Sequence, residues 1–348
     1  MNSPLRDLIS GARPWVIAEV GVNHNGRLEE ALALVDLAAR AGVQAVKFQA
    51  FRAERLARPD APLADYQAGN LGGDAVGQFE MLRGLEIDLL SLAACARQAR
   101  RRGLAFGVTP FDPASLREIL ALQPDFIKIG SGDADNFLLL EAARDCGRPV
   151  IVSTGMCEMA DVERLAGWFA GAEERLALLH CVSAYPAPPE ACNLLALASL
   201  HRLGLPLGFS DHTVDSRAAC LALALGAEIL ERHITLDRAA RGPDHACSSD
   251  AAGLAGWLQD LETTRQLLGD GRKRPMPCEE NVRRVARKSL MLSRPLKAGE
   301  ELTREHAACL RPADGLPAWR LTELLGRPAL RDLAAGRLLE PGDLGEGA

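Results

Sequence analysis

The chain contains no run of apolar residues approaching the roughly 18 that a bilayer-crossing helix needs. Its opening, MNSPLRDLISGARP, lacks the charged-then-apolar layout of a secretory leader. No Cys-x-x-Cys pair occurs among its nine scattered cysteines, an odd number, so neither a disulfide framework nor a thiolate zinc site is suggested. Positive charge is not in excess either: the formal net charge of -6 gives no electrostatic case for binding nucleic acid. What these absences leave is a reduced, cytoplasmic, soluble protein with neither membrane nor nucleic acid as a partner. Its 48% hydrophobic and 25% charged residues are ordinary for that class.

Lysine is also scarce. Of 40 basic residues only five are lysine (Lys47, Lys128, Lys273, Lys288 and Lys297), and the first 272 residues keep just Lys47 and Lys128, each inside an apolar, β-like run. A guanidinium fork cannot imitate a compact ammonium on a flexible stem. In a chain that has gone over to arginine almost everywhere else, these two positions stand out as places where the ammonium matters.

The length of 348 residues suggests about two domains, one large and one small. From residue 15 to about 270, short apolar or β-branched runs alternate with longer amphipathic stretches. The expected strands are Trp15–Val20, Gln44–Phe51, Leu104–Val108, Phe126–Ile129, Val150–Ser153, Leu176–Cys181, Leu207–Phe209 and Glu228–His233. Between them lie expected helices such as Leu28–Ala41, Leu89–Arg102, Pro113–Ala121 and Arg217–Leu225, with Gly103, Gly147, Gly204 and Gly226 placed to stop helices. Eight strand–helix units over this length match an α/β (β/α)8 TIM barrel. A doubly wound sheet is the competitor, but no G-x-G-x-x-G turn follows Val20.

The expected domains are therefore a catalytic barrel over 1–270, a charged, proline-containing linker over 271–285 and a small β-rich module over 286–348. Within the barrel, 52–84 is long, weakly patterned and rich in Gly and Ala, which reads as a lid or binding loop. The module carries an internal echo. LKAGEEL (Leu296–Leu302) and LAAGRLL (Leu333–Leu339) share a Leu-x-Ala-Gly-x-x-Leu pattern, suggesting a pseudo-twofold arrangement of tight turns. A core so small is marginal alone and calls for another surface to pack on.

Side chains alternate along a strand, so residues two apart share a face. Ile17 pairs in this sense with Glu19; Ala45 with Lys47 and Gln49; Phe126 with Lys128; and Ile229 with Glu231 and His233. A charge thus recurs near the end of several apolar strands, where a barrel places its reactive groups. Burying a single unpaired charge is expensive, so these must pair or face a wet pocket. His212 and His233 are 21 residues apart, about one strand–helix unit, which sets them on neighbouring strand ends. With water and substrate oxygens they would suit Mn²⁺, Mg²⁺ or Zn²⁺; hydrogen-bonded structural histidines are the other reading. Gly130-Ser131-Gly132, Ser153-Thr154-Gly155 and Thr109-Pro110 each open a strand-to-helix loop where backbone N–H groups and hydroxyls could cradle an anion.

IAEVGVNHNG, AVKFQ, VTPFD, IKIGSGD, VSTGM, LHCVSAYPAP, FSDHT, ILERHIT and GPDHACS occur in this order. As a set they resemble the sialic acid (nonulosonate) synthases, which include N-acetylneuraminate, legionaminate and pseudaminate synthases. The stretch from about Arg287, with Leu310-Arg311-Pro312, resembles that family's antifreeze-like (SAF) domain.

The resemblance implies a transferase that condenses phosphoenolpyruvate with an open-chain N-acyl aldose of the N-acetylmannosamine type, giving a nine-carbon 2-keto acid and phosphate. A diacetamido-dideoxyhexose acceptor, as in legionaminate or pseudaminate synthases, is the alternative. It further implies that Lys47 and Lys128, with Thr109, Ser131, Ser153 and Ser210, hold phosphoenolpyruvate, and that His212 and His233 hold a divalent metal, Mn²⁺ or Mg²⁺. Glu19 would be the acid/base and Asp244 a binder of sugar hydroxyls. Gln49, Asn70 and Tyr185 would line the pocket. Arg311 would reach the active site of a partner subunit in a domain-swapped homodimer.

Three places depart from the family pattern. Asp133 stands at a catalytic position that is Glu in most members, Ser183 at a substrate position that is Asn in some, and CSSDA follows GPDHA in place of a more usual continuation. All fall near the expected sugar site.

Two rival readings remain. A pyruvate aldolase would use Lys128 as a Schiff base. An interaction or ice-binding role would rest on the C-terminal module, although that module is charged and Arg-bearing where a flat array of small hydroxylated residues would be expected.

Overall fold

The computed structural model describes residues 4–10, 14–71 and 77–346. Parts of two expectations, residues 72–76 of the 52–84 loop and residues 1–3 and 11–13 of the opening stretch, lie outside the described residues. The chain separates into two compact units, Met1–Gly269 and Asp270–Ala348.

Unit one is a closed barrel of eight parallel strands in sequence order. They are β1 (Trp15–Gly21), β2 (Ala45–Ala50), β3 (Ala105–Pro110), β4 (Phe126–Ile129), β5 (Val150–Ser153), β6 (Leu176–Cys181), β7 (Leu207–Asp211) and β8 (Ile229–His233). The barrel closes through β1 and β8, where Glu19 sits opposite His233, and β1 continues into β2 with Glu19 opposite Lys47. Two strands run two residues further than expected. β3 stays in register with β2 through Gln49 opposite Thr109 and Ala50 opposite Pro110, and β7 stays paired with β8 through Asp211 opposite Arg232. Thr109 is therefore a strand residue, where the sequence suggested a loop.

The helices between strands begin and end for local reasons. Leu28–Ala41 buries Ala31, Leu34, Val35, Leu37 and Ala38 along one stripe and stops at Gly42, whose φ of 82° favours glycine. Helix Leu89–Arg101 is capped by the Asp88 carboxylate, which accepts from Ser91 N–H, and helix Pro113–Leu120 by Asp112, which accepts from Ala114 and Ser115 N–H. Each such cap is worth about 1 kcal/mol. The described part of the 52–84 loop is not patternless: it holds short helices Ala53–Leu56, Asp65–Leu71 and Gln78–Gly84. They are pinned by a cluster in which Leu56, Leu63, Leu71 and Leu82 pack on Val22, Phe51, Met81 and Leu85. Among the described residues no helix is long and apolar enough to cross a membrane.

The lumen is layered. At the N-terminal ends of the strands, Trp15, Ile17, Ala45, Phe126, Ile151, Ala177, Leu179 and Ile229 form one buried cluster, closed off by Leu5 and Ile9 of helix Pro4–Ile9. Glycine makes room for the larger members. A Cβ on Gly107 would lie 2.1 Å from the Phe126 ring, and one on Gly208 2.2 Å from the Ile229 carbonyl oxygen. Two residues further along the same strands the facing side chains become Glu19, Lys47, Lys128, Ser153, Ser210 and Glu231, all buried.

Unit two is a small β-rich body. β9 (Ser289–Leu292) and β10 (Ala307–Leu310) pair antiparallel, over a core that includes Leu290, Leu296, Leu302, Leu333 and Leu339. The sequence echo is a structural one: Leu296 and Leu333 exchange both backbone hydrogen bonds, at 2.9 and 2.8 Å, and Gly299 and Gly336 take matching φ values of 80° and 81°. A short helix, Glu280–Ala286, begins in the stretch expected to be a linker and runs one residue into the expected module.

Candidate active site

A cavity of about 530 Å³ opens at the C-terminal ends of the barrel strands. Its floor is the polar layer of the lumen, held by two ammonium groups against two carboxylates. Lys47 Nζ lies 3.0 Å from Glu19 Oε2 and 3.5 Å from Glu231 Oε2, and donates to Thr109 Oγ1 at 3.1 Å. Lys128 Nζ donates to Ser153 Oγ at 2.7 Å and to the Ile129 carbonyl at 3.2 Å, with Glu231 Oε1 at 3.5 Å. Ser210 Oγ donates to Glu231 Oε1 at 2.8 Å, and Gln49 Nε2 donates to Glu19 Oε1 at 3.2 Å. The two lysines are 4% and 2% exposed, so these charges interact in a dry environment.

The two carboxyls diverge accordingly. Burial alone would push Glu231 up, but Lys128 and Lys47 flank it and hold it at about 2. Burial pushes Glu19 to about 7, because the pull of Lys47 is partly cancelled by the charge on Glu231. Glu231 is thus the permanent anion, and Glu19 is the carboxyl whose proton is labile at neutral pH. Lys128, with burial and Lys47 both acting against its charge, falls below the ordinary lysine range.

The rim is aromatic and imidazole-rich. The His212 and His233 rings are 5.4 Å apart. The Tyr185 ring lies 4.1 Å from His212 and 5.8 Å from His233, and Tyr66 stacks on Tyr185 at 5.0 Å. His212 Nδ1 donates to the Val182 carbonyl at 2.8 Å, which leaves Nε2 as its lone-pair nitrogen. His233 Nδ1 is buried without a hydrogen-bond partner. Asp244 also lines the cavity, and burial raises its carboxyl to about 6. On the opposite side the loops after β4 and β5 converge. Ser131 Oγ accepts from Gly155 N–H at 3.0 Å, and a Cβ on Gly155 would sit 2.4 Å from Ser183 Oγ.

The cavity therefore gathers Glu19, Lys47, Gln49, Thr109, Lys128, Ser131, Ser153, Ser183, Tyr185, Ser210, His212, His233 and Asp244. Two of the residues expected in this cavity, Asp133 and Asn70, are elsewhere, whereas Arg311 was expected to serve the site of a partner subunit. Asp133 does not line it; its carboxylate accepts from Asn136 Nδ2 at 2.9 Å, inside the turn that starts helix Phe137–Asp145. Asn70 donates to the Pro243 carbonyl at 2.6 Å and lines a neighbouring cavity of about 450 Å³, which shares Tyr185 with this one. Arg311 belongs to unit two, where its Nε donates to the Ala286 carbonyl at 2.9 Å.

Glu231 is the chief residue that the sequence reading did not single out as a site residue. The signal was there, since it lies on the same strand face as His233. Cys181, Tyr66 and an apolar wall of Val22, Leu56, Met81, Leu82, Leu85 and Phe111 also line the cavity. Among the described residues no group of three or more His, Cys, Asp or Glu is placed to hold a metal ion. Any cation here would have two imidazoles and take its other ligands from water or substrate.

A profile of the NeuB family matches residues 34–273, and one of the SAF domain matches residues 287–345. The N,N'-diacetyllegionaminic acid synthase of Legionella pneumophila is 34% identical over 95% of this chain and 96% of its own length. The human N-acetylneuraminate-9-phosphate synthase is 30% identical over 92% of this chain and 90% of its own. The crystal structure of N-acetylneuraminic acid (sialic acid) synthetase from Leptospira borgpetersenii serovar Hardjo-bovis, in complex with citrate, superposes with a TM-score of 0.69 at 32% identity. That superposition covers 78% of this chain and 90% of the other.

Proposed function

The chain belongs to the NeuB family, and from that premise we propose that it condenses phosphoenolpyruvate with the aldehyde form of an N-acyl hexosamine, N-acetylmannosamine or a close relative. The observation that carries the reading is the floor of the cavity, where two buried ammonium groups stand beside a row of hydroxyls and below two imidazoles.

C3 of the enol phosphate attacks the aldehyde carbon, leaving positive charge at C2. Water adds to C2, and the resulting tetrahedral adduct expels phosphate to give the 2-keto acid. Lys47 and Lys128 offset the charge on the donor's phosphate and carboxylate, with Thr109, Ser131, Ser153 and Ser210 as hydroxyl partners. Glu19, poised near neutrality, stabilises the cationic carbon and takes the proton of the attacking water. Glu231 keeps both lysines charged and placed. Asp244 and Tyr185 face the sugar.

His212, through Nε2, and His233, whose Nδ1 has no hydrogen-bond partner, are the residues that would hold a divalent cation, Mn²⁺ or Mg²⁺. When bound, it supplies Lewis-acid polarisation of the aldehyde oxygen. The family reading extends to a domain-swapped homodimer in which Arg311 of the second copy reaches the acceptor, and to a cytoplasmic enzyme.

The test is phosphate release by the purified chain, offered phosphoenolpyruvate with N-acetylmannosamine and with diacetamido-dideoxyhexoses, with and without metal. Release that requires both substrates and metal supports the reading; release without an acceptor sinks it. The apolar wall from Val22 to Phe111 favours one variant of it, a legionaminate- or pseudaminate-type acceptor whose deoxy carbon and second acetamido methyl would cover that hydrocarbon. The aldolase alternative is separated by borohydride trapping with pyruvate, which labels Lys128 only if an imine forms.

A further inference from the structure

Each rim histidine is preceded in sequence by a charged residue that faces away from the lumen. Asp211 and Arg232 are register partners on β7 and β8, and Arg232 Nη1 donates to Asp211 Oδ2 at 2.7 Å, both side chains being buried. Their remaining bonds reach Thr213 and Val214, just after His212, and also Ser249 and Trp257. Asp211 Oδ1 accepts from Thr213 N–H at 2.9 Å and from Thr213 Oγ1 at 2.7 Å, and Oδ2 accepts from Trp257 Nε1 at 3.0 Å. Arg232 Nε donates to Ser249 Oγ at 3.0 Å, and Nη2 donates to the Val214 carbonyl at 3.2 Å. Ser249 N–H in turn donates to the His233 carbonyl at 2.9 Å. The backbone on either side of His212 and the backbone at His233 are thus tied to one buried ion pair.

We infer that the Asp211–Arg232 pair is a positioning clamp that fixes the separation of the His212 and His233 imidazoles and so sets the affinity of that site for a divalent cation. This rests on the metal reading above. A buried ion pair is often no more stabilising than apolar residues of the same volume. What it adds is a directional link between two strand ends. With only two protein ligands, no third side chain compensates when their spacing drifts.

The test is calorimetric binding of Mn²⁺ alone, and separately of phosphoenolpyruvate, to the full chain and to Asp211→Asn, Arg232→Met and Arg232→Lys, with His212→Ala as the reference. The clamp predicts Mn²⁺ affinity weakened about tenfold or more in Asp211→Asn and Arg232→Met and partly restored by lysine. Phosphoenolpyruvate affinity falls several-fold less than that for Mn²⁺, because its ammonium partners sit on β2 and β4 and only Ser210 and Glu231 adjoin the pair. Should those variants fail to fold, Trp257→Phe and Ser249→Ala each remove one bond from the network and give a smaller loss for the metal only. Unchanged Mn²⁺ affinity in folded variants overturns the clamp, and so does a parallel loss of both ligands. A wild-type chain whose Mn²⁺ binding is indifferent to His212→Ala overturns the metal reading itself, and the clamp with it.

Discussion

Ile151 and Ser153 stand two residues apart on β5, and between them the barrel lumen changes from hydrocarbon to charge. Below that line Phe126, Ile151, Leu179 and Ile229 pack with Leu5 and Ile9. Above it Lys128, Ser153, Ser210 and Glu231 bond one another. The lower half gains by removing apolar area from water, at about 25 cal/mol per Å². The upper half is costly to desolvate and persists because each charge finds an opposite one. One alternation along the same strands thus builds a stabilising layer and a reactive layer, and substitutions across the line should separate stability from activity.

The largest effect is expected from Lys128→Arg. Charge is kept, but a guanidinium cannot occupy the point between Ser153 Oγ and Glu231 without moving both. We expect kcat/KM to fall about a hundredfold or more, while the overpacking costs only about 1–3 kcal/mol of stability. Near-wild-type turnover in a phosphate-release assay would remove the case for an ammonium there. The mirror substitution below the line is Phe126→Ala. It should cost about 3–5 kcal/mol of stability in denaturant unfolding, while the folded fraction keeps kcat within about threefold. A Phe126→Ala enzyme that is stable but dead would break the division between the layers.

Next in size is a pH effect. An ordinary glutamate with a pKa of 4.5 would give a flat profile across the neutral range, whereas Glu19 is raised to about 7. In the proposed mechanism the ionised form accepts the water's proton, and that sets the sign. Log kcat/KM should climb with unit slope below about pH 7 and level off above it. Glu19→Gln should lower the rate and abolish the climb. A climb that survives in Glu19→Gln belongs to some other group.

The boundary itself was legible because it obeys a local rule. Period-two alternation placed Glu19 above Ile17 and Lys128 above Phe126, and lysine scarcity picked out the same ammonium groups independently. Glu231 obeys the same rule but sits beside the more conspicuous His233, so it read as one recurring charge among several. Other features follow no local rule. Tyr66 reaches Tyr185 from a segment whose position depends on the packing of Leu56, Leu63 and Leu82 over Phe51 and Met81. Asp133 is held in the turn by Asn136, whose Nδ2 donates to it from three residues ahead, a local bond that the sequence reading did not weigh. The strand ends at Pro110 and Asp211 were missed for a different reason, since ladder partners on another strand decide them.

The finest cut uses β5 alone. Ile151→Val removes one buried methylene and should cost about 0.5–1.5 kcal/mol, seen as a fall of a few degrees in melting temperature, with kcat/KM unchanged. Ser153→Ala removes one oxygen that accepts from Lys128 Nζ. The ammonium keeps the Ile129 carbonyl and Glu231 as partners, so the fold loses about 1 kcal/mol. The hydroxyl proposed to hold phosphoenolpyruvate is lost, however, and the KM for that substrate should rise about tenfold with kcat less affected. If Ile151→Val altered KM as much as Ser153→Ala, the line between the two layers would have no energetic meaning, and the lumen would have to be treated as one coupled unit.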